Sequence, residues 1–189
     1  PQSLIVGVVM DWQPKSTPWA SRSFSGQNNL DGTGSTGSRE MRCWVLAFEG
    51  IEMVLLLEDN LERVRGFRRV LSRLTPESEV MIWSDAHQMI REVGSHLDKA
   101  RLISLDHDLV SPASAPDPGD GLDVTTFLVS QPIVRPVIVH SSNSDRSRRM
   151  VGEFELANWN CVRVLPFGDD WIEADWMVEA ARLLGRERG

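Results

Sequence analysis

The sequence has few cysteines, no long apolar run and no excess of basic charge, and each shortage excludes a class of protein. The 189 residues include only Cys43 and Cys161, too few for a disulfide framework and without metal-ligand spacing. Reduced thiols, as in a cytosolic protein, are expected. The formal net charge of -7 argues against binding of duplex DNA through a general basic field.

The apolar stretches are too short for a membrane protein. The run from Leu4 to Met10 has no basic segment before it and no small-residue cleavage site after it, which is unlike a signal peptide. No stretch approaches the roughly 20 apolar residues that span a bilayer. We therefore expect a cytoplasmic protein with no membrane partner. The sequence leaves the oligomeric state open.

Composition divides the chain into a leader and one domain. Residues 13–39 are rich in Ser, Gly, Thr, Asn and Pro, which predicts a flexible, disordered leader over residues 1–40. Residues 41–52 form a lead-in that fits either a short strand or a simple connection. The 189 residues of the chain can bury one full core but scarcely two, so one domain is predicted, over residues 53–189.

Strand and helix patterns alternate from Met53 onward. Met53 to Leu57 is a continuous apolar run, which is typical of a strand buried on both faces. Four further strand patterns follow, each separated from the last by a helix pattern: Val80–Trp83, Arg101–Leu105, Pro136–Val139 and Cys161–Leu165. This alternation predicts an α/β fold with a doubly wound, five-stranded parallel sheet.

Polar side chains follow three of the predicted strands. The first strand ends in Glu58-Asp59-Asn60, the third in Asp106-His107-Asp108 and the fourth in His140-Ser141-Ser142-Asn143. Ligands of open α/β sheets bind beyond the carboxyl ends of the strands, so these three segments are expected to form one site.

The acidic residues of this site predict a bound divalent ion. Carboxylates on neighbouring strand ends repel one another unless a cation lies between them. Asp59 and Asp106, with Glu58 and Asp108 as further ligands, suit Mg²⁺ or Mn²⁺.

The other polar residues predict phosphate chemistry. The ordinary pKa of histidine suits proton transfer, so His107 and His140 are predicted to transfer protons in catalysis. Asp106 is predicted to be catalytic as well. Ser141, Ser142 and Asn143 are predicted to bind phosphoryl oxygens, and Arg63, one turn after Asp59, is predicted to reach a phosphate.

Structural interpretations also fit several of these residues. Glu58-Asp59-Asn60 is typical of a helix N-cap, Arg63 fits a solvated helix face, and His140 fits a core histidine with satisfied hydrogen bonds.

The order of the motifs resembles the receiver domain of response regulators over nearly all of residues 53–189. Glu58-Asp59 resembles the receiver acid pair, Asp106 falls at the phosphoacceptor position, and Ser141 falls at the switch hydroxyl. The resemblance implies a flavodoxin-like sheet with strand order 2-1-3-4-5. Leu165-Pro166-Phe167 departs from the receiver pattern, in which lysine precedes proline.

The three strand-end motifs together resemble the cyclic-phosphate-processing receiver-like domains. This resemblance implies a metal-dependent phosphoesterase that acts on cyclic phosphates, such as 2′,3′-cyclic RNA ends or nucleotides. The alternative is a non-catalytic, divergent receiver that accepts phosphate on Asp106 or senses a phosphorylated ligand. A transient aspartyl-phosphate on Asp106 would combine the two.

Overall fold

A computed structural model describes residues 51–110 and 114–185 of the chain. The predicted leader, residues 1–40, and nearly all of the predicted lead-in lie outside the described residues. No described helix combines the length and the apolar character needed to cross a bilayer.

The described residues form a five-stranded parallel sheet with helices between the strands. The strands are β1 Met53–Leu57, β2 Glu79–Trp83, β3 Ala100–Leu105, β4 Val137–His140 and β5 Cys161–Val164. The helices are α1 Leu61–Leu74, α2 Ala86–Glu92, α3 Gly121–Val129, α4 Ser144–Leu156 and α5 Met177–Leu183. A 3₁₀ turn, Val93–Ser95, follows α2, and a π-helical turn, Ile172–Trp176, precedes α5. The strand order β2-β1-β3-β4-β5 confirms the predicted doubly wound, flavodoxin-like sheet.

The sheet separates two hydrophobic cores. Leu55 and Leu57 of β1 belong to the core that α2, α3 and α4 cover. Val54 and Leu56 belong to the core that α1 and α5 cover. Each of these four side chains is 0 % exposed, and full burial of such a side chain contributes roughly 1.5–3 kcal/mol. The continuous apolar sequence of β1 therefore reflects burial on both faces.

The boundaries of β4 differ by one residue from the prediction of Pro136–Val139. Pro136 has no N–H to donate, and only its carbonyl takes part, accepting a hydrogen bond from the Ile103 N–H at 3.0 Å. At the other end His140 still pairs with Val164 of β5. His140 is therefore the last residue of the strand and does not lie beyond it.

Backbone hydrogen bonds hold the site-bearing strand ends together. The Glu58 N–H donates to the Trp83 carbonyl at 2.9 Å, and the Asp106 N–H donates to the Leu57 carbonyl at 3.0 Å. These bonds extend the strand pairing by one residue past β1 and β3. The acids that follow the two strands are consequently fixed side by side.

Candidate functional site

The end of β1 supplies one buried and one accessible carboxylate. Glu58 is fully buried, and its Oε1 accepts a hydrogen bond from the Asn60 N–H at 2.9 Å. Asp59 is half-buried, and its Oδ2 accepts from the Val110 N–H at 2.6 Å. The two neighbours therefore face different surroundings, as successive residues of an extended chain do.

The first turn of α1 brings a cation to these acids. Asn60 is the N-cap of α1, and its Oδ1 accepts from the N–H groups of Glu62 and Arg63 at 3.0 and 3.2 Å. Arg63 Nη1 then lies 2.9 Å from Asp106 Oδ2 and 3.8 Å from Glu58 Oε2. The N-cap interpretation is thus confirmed for Asn60, and the same cap orients Arg63 towards the strand ends.

Asp106 lies at the centre of the site and is only 3 % exposed. Its Oδ1 accepts from the His107 N–H at 2.6 Å, and its Oδ2 accepts from Arg63. Burial raises the pKa of Asp106, and the nearby Glu58 carboxylate adds to the rise. His140, Arg63 and the His107 N–H act in the opposite direction without cancelling it.

An open depression at this edge of the sheet, here called the acidic cleft, has a volume of about 420 Å³. Its lining consists of Asp59, Asn60, Arg63, Asp106, Asp108, Val110 and Ser142. Three carboxylates, one guanidinium and one hydroxyl therefore face the same space. Such a lining offers ligands for a cation and hydrogen-bond donors for an anion.

His140 is fully buried behind the acidic cleft. The Trp176 indole N–H donates to Ser104 Oγ at 2.9 Å, and Ser104 Oγ lies 2.9 Å from His140 Nδ1. His140 Nε2 lies 3.3 Å from Glu58 Oε2. Because the serine oxygen accepts from Trp176, its own proton can go to Nδ1, which leaves Nε2–H to donate to the Glu58 carboxylate. These contacts form a chain, Trp176–Ser104–His140–Glu58, here called the core relay.

His107 is also buried, at 5 % exposure, and is held between two aspartates. Its Nδ1 lies 2.8 Å from Asp108 Oδ1, and its Nε2 lies 3.5 Å from Asp120 Oδ2. Nε2 has no hydrogen-bond partner of good geometry among the described residues. The His107 side chain therefore contacts the acidic cleft through Asp108.

The Asp108 carboxylate accepts hydrogen bonds from three neighbours. Besides His107, Asn143 Nδ2 donates to its Oδ1 at 3.3 Å and Ser141 Oγ donates to its Oδ2 at 3.4 Å. Burial is the largest single influence and acts to raise the pKa of Asp108. The hydrogen bonds from His107, Asn143 and Ser141, together with the charge of His107, outweigh burial and lower it.

The structure separates the predicted site residues into two groups. Five of them line the acidic cleft: Asp59, Arg63, Asp106, Asp108 and Ser142. Five others bond to protein groups around it: Glu58, His107, His140, Ser141 and Asn143. The metal-binding, phosphate-binding and catalytic roles predicted for the residues of both groups remain predictions.

Three contributors to the site were not predicted from the sequence. Ser104 and Trp176 complete the core relay, and the Trp171 ring lies 5.8 Å from the Arg63 guanidinium carbon. A signal existed for Ser104, because it is a polar residue among the apolar residues Leu102, Ile103 and Leu105 of β3. No sequence pattern links Trp176 to Ser104, 72 residues earlier, or Trp171 to Arg63.

The donor set fits a hard divalent ion. Asp59, Asp106 and Asp108 present carboxylates to one cleft. One ligand atom from each of Glu58, Asp106 and His140 also lies within 4.8 Å of the others. Carboxylates with water suit Mg²⁺, and an imidazole nearby makes Mn²⁺ acceptable. Asp106, which belongs to both sets, and Asp59, which lines the cleft, are the residues that would hold the ion.

The end of β5 supplies no cation to this site. Leu165 stands where receivers have lysine, and it lines a different cleft, beside Phe167 and Val178. The positive charge next to Asp106 comes instead from Arg63 on α1.

The fold and the acidic strand ends define a receiver-like domain, and solved structures share this fold. The phosphorylated cyanobacterial phytochrome response regulator RcpA is 21 % identical, with a TM-score of 0.52, over 74 % of this chain and 98 % of that chain. A receiver domain from Rhodospirillum rubrum is 18 % identical, with a TM-score of 0.51, over 72 % and 95 %. The Mn²⁺-bound form of response regulator Rcp1 is 22 % identical, with a TM-score of 0.50, over 73 % and 96 %. At these identities the likeness shows the fold alone.

The particular family follows from the sequence of the domain. The family model described as "Cyclic-phosphate processing Receiver domain" matches residues 53–155, and the chain belongs to that family. This confirms the resemblance drawn from the strand-end motifs. No curated protein matches the sequence.

Proposed function

We propose that the domain is a metal-dependent phosphoesterase that hydrolyses cyclic phosphates, with 2′,3′-cyclic nucleotides or RNA ends as the substrate class. One observation carries the proposal: the acidic cleft of about 420 Å³ combines three aspartates with Arg63 and Ser142. A cyclic phosphodiester needs both kinds of group. The aspartates would hold a cation that neutralises its charge, and Arg63 and Ser142 donate hydrogen bonds to its oxygens. Membership of the cyclic-phosphate family supports the same substrate class.

The proposed reaction adds water across one P–O bond of the ring. The water oxygen bonds to phosphorus, the bond to one ribose oxygen breaks, and that oxygen takes up a proton while the water loses one. A divalent ion bound to Asp59 and Asp106 would neutralise charge on the phosphoryl oxygens. Holding the ring in the cleft then accounts for much of the rate, because little rearrangement is needed.

The residues of the chain divide this work. Arg63 and Ser142 hydrogen-bond the phosphoryl oxygens, and Asp108 accepts a hydrogen bond from the attacking water and orients it at the cleft. His107 holds Asp108 in place through its 2.8 Å contact with Asp108 Oδ1. His140, buried behind Glu58, acts as a positioning residue that holds the Glu58 carboxylate.

Hydrolysis assays of the wild type and of Asp106→Asn with 2′,3′-cyclic nucleotides, in Mg²⁺, Mn²⁺ or EDTA, test the proposal. We expect turnover that needs the metal and that falls by roughly 100-fold or more in Asp106→Asn, as when a group that stabilises transition-state charge is removed. The matched control is Asp145→Asn, whose side chain is 93 % exposed on α4. Circular dichroism verifies that both variants fold. Wild-type turnover no greater than that of Asp106→Asn would exclude this substrate class.

The second candidate is a phosphoacceptor module that signals without hydrolysing a substrate. It is favoured by the position of Asp106 at the carboxyl end of β3 in a receiver fold, beside the Arg63 guanidinium. Incubation with acetyl phosphate distinguishes the two functions. A stable, hydroxylamine-labile adduct that Asp106→Asn lacks supports signalling. An adduct that forms and decays during turnover of a cyclic nucleotide indicates a covalent intermediate.

A further inference from the structure

Arg63 makes contacts that belong to two different tasks. Its Nη1 lies 2.9 Å from Asp106 Oδ2 and 3.8 Å from Glu58 Oε2, so it is the counter-ion of two buried acids. Its side chain is also 32 % exposed and lines the acidic cleft, where it is the basic residue among the described lining residues. The same guanidinium therefore faces both the acids and the space for a ligand.

A metal ion would compete with Arg63 for the same oxygen. Asp106 Oδ1 already accepts from the His107 N–H at 2.6 Å, and Oδ2 accepts from Arg63. A divalent ion on Oδ2 would lie within a few ångströms of the guanidinium. Two cations at that separation repel, and they repel more strongly beside the buried Asp106 carboxylate than in bulk water. The contact between Arg63 and Asp106 Oδ2 and a metal ion on the same oxygen are consequently hard to maintain together.

An aromatic contact supports the Arg63 guanidinium beside the acids. Its guanidinium carbon also lies 5.8 Å from the centre of the Trp171 ring, so this aromatic contact can hold the cation while its hydrogen-bond partners change. The guanidinium is partly open to the cleft, so a change of rotamer carries its donors from Asp106 towards a ligand. An anion in the cleft would then receive two parallel N–H donors.

We propose that Arg63 is an exchangeable counter-ion. It pairs with Asp106 and Glu58 when no metal is bound, leaves Asp106 when the metal binds, and then binds the phosphoryl group. This proposal rests on the proposed function, since it concerns the same metal and the same class of anion. Metal and phosphate binding are thereby coupled, and the coupling is reciprocal. The apo site avoids uncompensated acids, and phosphate binds best after the metal has arrived.

Measurement of Mn²⁺ affinity in the full chain tests the exchange without any turnover. Free Mn²⁺ is followed by electron paramagnetic resonance, with and without inorganic phosphate kept below precipitation. The variants are Arg63→Gln and the matched control Arg65→Gln, which removes the same charge from the same helix. Arg65 is 67 % exposed and pairs with Glu62.

Without phosphate, we expect Arg63→Gln to bind Mn²⁺ about fivefold more tightly than the wild type, the scale of losing one partly exposed ion pair as a competitor. Arg65→Gln is expected to match the wild type. Phosphate should raise the Mn²⁺ affinity of the wild type and of Arg65→Gln by a larger factor than that of Arg63→Gln.

Unchanged or weaker Mn²⁺ binding by Arg63→Gln overturns the exchange, and so does a phosphate effect of equal size in all three proteins. Absence of Mn²⁺ binding in every protein also overturns it. The hydrolysis assay is independent of these results. A domain that hydrolyses cyclic phosphate but shows no Arg63 effect keeps the proposed function and loses this inference alone.

Discussion

Most buried polar atoms of the site have a defined partner, and His107 Nε2 is an exception among the described residues. Glu58 and His140 are 0 % exposed and bond to each other, and Asp106 bonds to Arg63. An unpaired polar group in such a position would cost the full desolvation free energy. Ser104 matters for this reason: it is the one residue that joins the indole of Trp176 to the imidazole of His140.

Ser104→Ala tests the core relay at the level of one hydroxyl. Loss of Oγ leaves the Trp176 N–H and His140 Nδ1 buried without a partner, so we expect the free energy of unfolding to fall by roughly 1–3 kcal/mol. Chemical denaturation measures the change. Ser72→Ala, which removes an exposed hydroxyl bonded to a local carbonyl, should change stability by less than about 0.5 kcal/mol. Equal stabilities of the two variants would contradict the relay.

At the scale of elements, the site is fixed where a strand end meets a helix start. The Gly121 N–H donates to the His107 carbonyl at 3.0 Å, and Asp120 caps α3. A Cβ on Gly121 would lie 2.9 Å from both His107 Cα and Met150 Cε and would also collide with the Asp106 carbonyl. Close approach of α3 to the end of β3 thus requires glycine at this position.

Gly121→Ala is expected to move α3 away from the end of β3 and to lower stability by roughly 1–3 kcal/mol, the usual cost of overpacking. Thermal unfolding gives the change. The matched control is Gly152→Ala in α4, where a new Cβ meets nothing within 4 Å. That variant should be stabilised by about 0.5–1 kcal/mol, because alanine is the better helix former. Destabilisation of both variants alike would argue against the close approach.

At the scale of the whole molecule, side-chain contacts join elements that are distant in sequence. Arg69 of α1 donates through Nε and Nη2 to Glu173 Oε1 in the π-helical turn before α5, with the Nε contact at 3.1 Å. The hydrogen bond from Arg69 lowers the pKa of Glu173, and slight burial opposes it. This pair fastens α1 to the segment that carries Trp171 and Trp176 towards the site.

The lowered pKa of Glu173 predicts how stability depends on pH. The stabilisation by the pair is complete above the ordinary pKa of glutamate and is lost as pH falls through the lowered pKa of the folded state. We expect Glu173→Gln to be less stable than the wild type near neutral pH by about 0.2–1 kcal/mol, and the two to converge in acid. Denaturation at several pH values measures this. Glu155→Gln, at an exposed position on α4, is the matched control for removal of a glutamate charge. A gap for Glu173→Gln that persists in acid would refute the assignment.

The sequence by itself determined the strands of the sheet and which residues lie together at the strand ends. Continuous apolar runs such as Met53–Leu57 predict strands buried on both faces, and residues that follow parallel strands must share one edge of the sheet. Asp59, Asp106 and Asp108 were therefore predictable as neighbours, and they do line one cleft. Strand boundaries were predicted to within about one residue.

Only the tertiary structure decided which polar side chains face the cleft and which are buried behind it. His140 ends a strand whose length depends on pairing with Val164, and its hydrogen-bond partners come from β1, β3 and, through Ser104, the turn before α5. Such contacts between distant parts of the chain leave no periodic trace in the sequence. The same holds for Arg63, whose charge faces Asp106 because the cap at Asn60 and the register of β1 and β3 bring the two together.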